Sequence, residues 1–117
     1  MTQTYFTGYQ AYFNSAGAAT IAASSTTSGA LACSGFTFCG VQIPAAFTGT
    51  TVTFLVSSDG TTFQPLYNAA GQVSYTVAAG HYIAIDPKDF YGAAYVKIVS
   101  NATEASNRAL VCSLRGF

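Results

Sequence analysis

The segment Thr51-Val52-Thr53-Phe54-Leu55-Val56-Ser57-Ser58-Asp59-Gly60-Thr61-Thr62-Phe63-Gln64-Pro65-Leu66-Tyr67 decides the fold. Its first seven residues keep the two-residue rhythm of a strand. Val52, Phe54 and Val56 share one face, and Thr51, Thr53 and Leu55 the other. Ser58-Asp59-Gly60-Thr61 then supplies a turn, because Asp-Gly tolerates positive φ. Thr62–Tyr67 reads as the return strand. The segment is therefore a hairpin with one face suited to burial.

The same rhythm extends in both directions. Upstream, residues 36–43 alternate and stop at Pro44, which has no N–H to give to a ladder. Downstream, 68–71 is a turn, and Val73, Tyr75 and Val77 form one face of the next strand. His81–Ile85 is a short strand. Asp86-Pro87-Lys88-Asp89-Phe90 reads as one helical turn, with Asp86 as its cap and Pro87 at its first position. Residues 94–100 and 109–115 are the last strands, joined by a loop over 101–107. Residues 1–35 carry weaker signals: short strands near 20–23 and 30–33, preceded by an extended arm. About eight short strands at this spacing predict an all-β, single-domain β-sandwich of the jelly-roll kind. Within that one domain, 1–35 holds the arm and first strands and 36–117 the sandwich core. The expected core is Phe38, Val41, Val52, Phe54, Val56, Phe63, Leu66, Val77, Ile83 and Ile85, continued by Val96, Ile98, Leu110, Cys112 and Leu114.

Charge is scarce. Of 117 residues, 50% are hydrophobic and 7% charged, against about 25% charged in an ordinary soluble domain. Four acids and four bases cancel. The first charged side chain is Asp59 and the first base is Lys88. Such a surface favours association. The uncharged half should face other protein, while Lys88, Lys97, Arg108 and Arg115 should mark more solvated or polar-contact surface. A nucleic-acid partner is not expected, since there is no basic excess. Nor is a membrane partner, since no apolar run approaches the roughly 18 residues of a spanning helix. Met1–Gln10 lacks the basic and apolar regions of a secretory signal, so synthesis and use in a cytosol are expected.

Residues 40–116 contain Ile43-Pro44-Ala45-Ala46-Phe47, Thr53-Phe54, Ser57-Ser58-Asp59-Gly60-Thr61-Thr62-Phe63, Leu66-Tyr67 and Tyr95-Val96-Lys97-Ile98-Val99-Ser100. In these motifs the chain resembles a widespread group of small phage and prophage virion proteins. It is similar as well to galactose-binding-like jelly rolls. The resemblance implies a capsid decoration or cement protein that clamps neighbouring major capsid subunits as a homotrimer. Its place would be the capsid surface of a virion assembled in the bacterial host cytoplasm. A neck, tail or baseplate position keeps the virion role and changes the symmetry.

Chemistry has few residues to draw on, and no enzymatic activity is expected. His81 is the single histidine. Cys33, Cys39 and Cys112 are odd in number and read as unpaired thiols. They lack the close pairs of a zinc site, so no metal is expected. Phosphate-loop and dinucleotide fingerprints are absent, so no cofactor is expected. The carboxylates are Asp59, Asp86, Asp89 and Glu104. Asp86 and Asp89 read as a cap and a solvated loop charge. Aromatic residues supply large contact area, which makes Tyr5, Phe6, Tyr9, Tyr12 and Phe13 the candidate partner interface. A carbohydrate-binding module on a virion is the alternative, with Tyr67 and Tyr91 as candidate glycan contacts.

Overall fold

The computed structural model describes residues 14–116. Its strands, in chain order, are β1 (Asn14–Ile21), β2 (Leu31–Ala32), β3 (Thr37–Gln42), β4 (Thr51–Ser57), β5 (Gln64–Pro65), β6 (Tyr67–Asn68), β7 (Gly71–Gln72), β8 (Ser74–Thr76), β9 (Tyr82–Ala84), β10 (Tyr95–Ser100) and β11 (Arg108–Arg115). One sheet has the order β1-β11-β3-β9. The other has the order β2-β10-β4-β5, with β8 also paired to β4. All pairings within these sheets are antiparallel. The chain is a β-sandwich, as the alternation predicts.

The two sheets meet through aromatic rings. Phe38 of β3 lies edge-on to Phe54 of β4, centroids 5.8 Å apart. Phe90 packs edge-on against both, at 5.0 and 5.1 Å. Each such pair adds about 0.5–1.5 kcal/mol beyond its area burial. Phe90 ends a 3-10 turn, Pro87–Phe90, with Pro87 in the first turn. Asp86 caps it by accepting from the Lys88 N–H at 3.0 Å. The cap and the buried ring fix this turn at one end of the sandwich.

Four details differ from the sequence reading. β1 runs the full length of β11, from Asn14↔Arg115 to Ile21↔Arg108, whereas only a short strand near 20–23 is predicted. Its Asn, Ser, Ala and Gly residues carry little β signal of their own, and pairing with β11 supplies the order. Second, the return strand after Gly60 is short. β5 pairs with β4 only at Gln64 and Pro65. Pro65 has no N–H, and the chain turns off after Leu66 into the β6–β7 hairpin. Third, Val56, Phe63, Leu66 and Ile83 are half-buried, while Ile43, Phe47, Val73 and Phe90 join the core. Fourth, Arg108 is not solvated surface. Its side chain is 13% exposed and pairs with the fully buried Glu104 at 2.9 Å. Lys97 is half-buried too, with its ammonium 4.3 Å from the Phe63 ring centre.

Candidate functional site

Two surface features hold candidate function: an open cleft at one end of the sandwich, and the outer face of the four-stranded sheet.

The cleft, of about 410 Å³, lies between the turn after β4 and the 3-10 turn. Val56, Leu66 and Ala93 line it with apolar groups, and Ser58, Asp59, Thr62, Gln64 and Asp89 with polar ones. The Asp59 turn is held from within. Ser57 Oγ accepts from the N–H groups of Asp59 and Gly60, at 3.2 and 2.8 Å, and donates to Asp59 Oδ1 at 2.9 Å. Asp59 Oδ1 also accepts from Thr61 and Thr62 N–H, at 2.8 and 3.0 Å. These backbone donors at Thr62 and Thr61, with the Ser57 hydroxyl, hold the Asp59 carboxyl below its ordinary value. Gly60 has φ +82, and a Cβ there would stand 2.9 Å from the Tyr95 ring. Only glycine satisfies both conditions.

On the opposite wall, Asp89 Oδ1 accepts from Asn68 Nδ2 at 3.1 Å. This bond ties the β6–β7 hairpin to the 3-10 turn. The candidate rings flank the two bonded segments: Tyr67 precedes Asn68, and Tyr91 follows the turn. Both are 62% exposed. Tyr91 lines a neighbouring depression with Gly35, Phe36 and Thr37. The aromatic candidates Tyr5, Phe6, Tyr9, Tyr12 and Phe13 lie outside the described residues.

The face is the second feature. Strand register places Ala16, Ala18 and Thr20 of β1 beside Ser113, Val111 and Ala109 of β11. Gly40 and Gln42 of β3 continue the row, followed by Ala84 and Tyr82 of β9. The Tyr82 ring lies across Gly40, so close that a Cβ at Gly40 would collide with the phenol oxygen. The hydroxyl meets Ser113 Oγ at 3.0 Å. Arg115 is the one charge among these outward positions. A sheet face turned to water ordinarily alternates in charged and polar residues. This one carries mostly small residues beside the Tyr82 ring and is nearly neutral.

Cys33, Cys39 and Cys112 are free thiols. Burial pushes the Cys112 thiol up to about 12 and also raises Cys33. His81 is exposed, and its carbonyl accepts from Ile43 N–H at 2.8 Å. No group of three or more metal-ligating side chains occurs among the described residues. No helix among them is long and apolar enough to cross a membrane.

Glu104 escapes the sequence reading, which treats 101–107 only as a loop. One carboxylate oxygen accepts from Thr48 N–H and Arg108 Nε, the other from Thr48 Oγ1 and Gly49 N–H. The Glu104-to-Arg108 spacing was the available signal. It is the chain's one acid with a base four residues on.

Fold and surface together define a two-sheet antiparallel β-sandwich whose distinctive features are an end cleft and a neutral sheet face. Solved structures share the architecture. The SPBc2 prophage-derived protein YomS matches with a TM-score of 0.54 at 13% identity, over 88% of this chain and 95% of that one. CBM32-1 from a family 31 glycoside hydrolase of Clostridium perfringens matches with a TM-score of 0.50 at 17% identity, over 86% and 76%. At these identities the likeness is one of fold. No family model and no curated protein matches the chain.

Proposed function

We propose that this is a non-enzymatic structural protein of a phage virion, which works by packing its surface against neighbouring subunits. The observation that carries the reading is the outer face of the four-stranded sheet. A face built largely of Ala, Gly, Ser and Thr, with Val111, Gln42 and Tyr82 among them and one charge at its corner, can approach another protein closely and has few charges to desolvate. The motif resemblance to virion proteins and the prophage origin of one structural neighbour support the same reading. In its specific form, the protein is a capsid decoration protein that binds the major capsid protein as a homotrimer on the capsid surface. Its N-terminal segment, with Tyr5, Phe6, Tyr9, Tyr12 and Phe13, adds contact to a neighbouring subunit.

Cosedimentation with phage capsids, read on a gel, tests this. Stoichiometric binding that is lost in Val111→Lys is expected. A protein that stays monomeric at micromolar concentration and leaves capsids bare overturns it.

A second reading is a carbohydrate-binding module. The end cleft, with its mixed polar and apolar lining, is the observation that favours it.

A further inference from the structure

The walls of the end cleft differ in chemistry. Val56 and Leu66 give apolar surface. Asp59 and Asp89 give ionised acceptors, Gln64 an amide, and Ser58 and Thr62 hydroxyls. No lysine or arginine lines it. Its volume, about 410 Å³, lies within the range of small-molecule sites.

The two carboxylates are fixed without being used up. Asp59 is held through Oδ1 by three donors of its own turn. Asp89 is held through Oδ1 by Asn68. The Oδ2 atom of each accepts no hydrogen bond from the described residues. Among the described residues each carboxylate therefore keeps one acceptor oxygen, oriented by the bonds to the other, and little ordering remains for a ligand to impose.

We infer that this cleft binds a saccharide bearing no acid group, which rests on the carbohydrate-binding reading given as the second one above. A sugar ring carries hydroxyl donors on its rim and a patch of C–H groups on its face. The rim hydroxyls suit Asp59 and Asp89, since a hydrogen bond to an ionised acceptor is about twice as strong as a neutral one, and the Gln64 amide can both accept and donate. The C–H patch suits Leu66 and Val56. An acidic sugar brings a carboxylate toward two others in a cleft that no lysine or arginine lines, and like charges in one site repel. The same argument rejects phosphate-bearing ligands. A calcium ion is the competing occupant, but it takes six to eight oxygens, and the cleft offers no third carboxylate.

The full chain is screened against an array of neutral, amino-bearing and acidic glycans. The best neutral binder is then titrated into ¹⁵N-labelled protein, with glucuronic acid and calcium chloride as separate titrations. The expected result is saturable shifts at the amides of 58–64 and 89–93 with the neutral sugar, and none with glucuronic acid or calcium. Gln64→Ala and Asp89→Ala, each checked for an otherwise unchanged spectrum, should weaken binding at least ~10-fold. Equal binding of acidic glycans overturns the ligand class. Sugar-induced shifts confined to another surface overturn the site while the carbohydrate reading stands. Calcium-induced shifts at the cleft, without sugar binding, assign it to a cation. An array with no binder removes both the inference and the reading it rests on.

Discussion

Glu104 closes the end of the sandwich opposite in character to the cleft. Its backbone N–H donates to Ser25 O at 3.0 Å, and its carbonyl accepts from Ser24 N–H at 2.7 Å. With its side chain on Thr48, Gly49 and Arg108, this one residue joins three loops. Burial alone would raise its carboxyl. The Arg108 guanidinium and the donors of Thr48 and Gly49 more than offset that, and the group lies below its ordinary value. A carboxyl depressed in the folded state contributes stability that is complete above its unfolded value, about 4.3. That contribution is lost as pH falls through the folded value. Asp59 is depressed as well, so its contribution disappears in the same direction. Stability should therefore be flat above about pH 5 and fall below about pH 4, as denaturant melts across pH will show. Glu104→Gln leaves Arg108 without its partner. It should cost about 3 kcal/mol at neutral pH, lower the melting temperature by at least about 10 °C, and flatten the acid limb. An unaltered acid limb would remove Glu104 from this account. The thiols are graded by burial as well. Cys33 and Cys112 are buried with raised values, and Cys39 is half-buried. Since the thiolate is the reactive form, native protein at pH 8 should take up iodoacetamide at Cys39 only. All three should react in denaturant. Labelling of Cys112 in the native state would contradict its burial.

β1 shows what kind of element a sequence conceals. The strand from Thr51 to Ser57 announces itself because β-branched and aromatic residues alternate, and the capped turn at Asp86 does so by its Asp-Pro pair. Both occur as read. β1 has the pattern of neither helix nor strand, because its residues were chosen for what they touch. Gly17 faces the core, where a Cβ would stand 2.7 Å from Leu31 Cδ1, and Ala19 is buried beneath the same sheet. The cleft is hidden for a related reason. Asp59 and Asp89 are thirty positions apart and come to line one cleft only once β4 and the 3-10 turn have packed around Phe90. Tyr67 and Tyr91 are visible as aromatic residues, but the Asn68–Asp89 bond between their two segments is not. The β1 register supports a paired test. Gly17→Val inserts two methyl groups and their Cβ against Leu31 and should destabilise by about 1–3 kcal/mol. Ala18→Val, on the outward side one residue on, should be neutral within about 0.5 kcal/mol. Chemical denaturation distinguishes them, and equal effects would mean that the strand is registered differently.

At the scale of the whole molecule, the scarcity of charge has a location. Residues 1–58 contain none, and β1 and β3 from that half supply two of the four strands of the neutral face. The bases do not balance this by coating the remainder. Arg108 is spent on Glu104 and Lys97 lies over Phe63, so of the four only Lys88 and Arg115 are exposed. Association through such a face has a recognisable signature. Contacts between exposed charges weaken as salt shortens the Debye length, from about 10 Å at 0.1 M to about 3 Å at 1 M. Burial of small apolar and backbone surface does not depend on that length, and salts excluded from protein surfaces strengthen it. Binding to capsids, or to further copies of the chain, should therefore hold steady between about 0.1 and 1 M sodium chloride and tighten in ammonium sulfate. Ala18→Lys and Val111→Lys place charges at adjacent outward positions on β1 and β11. Each should abolish association and leave the melting temperature within a few degrees, since both sites are exposed. Analytical ultracentrifugation across the salt series reads the first effect and calorimetry the second. Association that weakens steeply with sodium chloride would move the contact away from this face, to a surface where the few exposed charges lie.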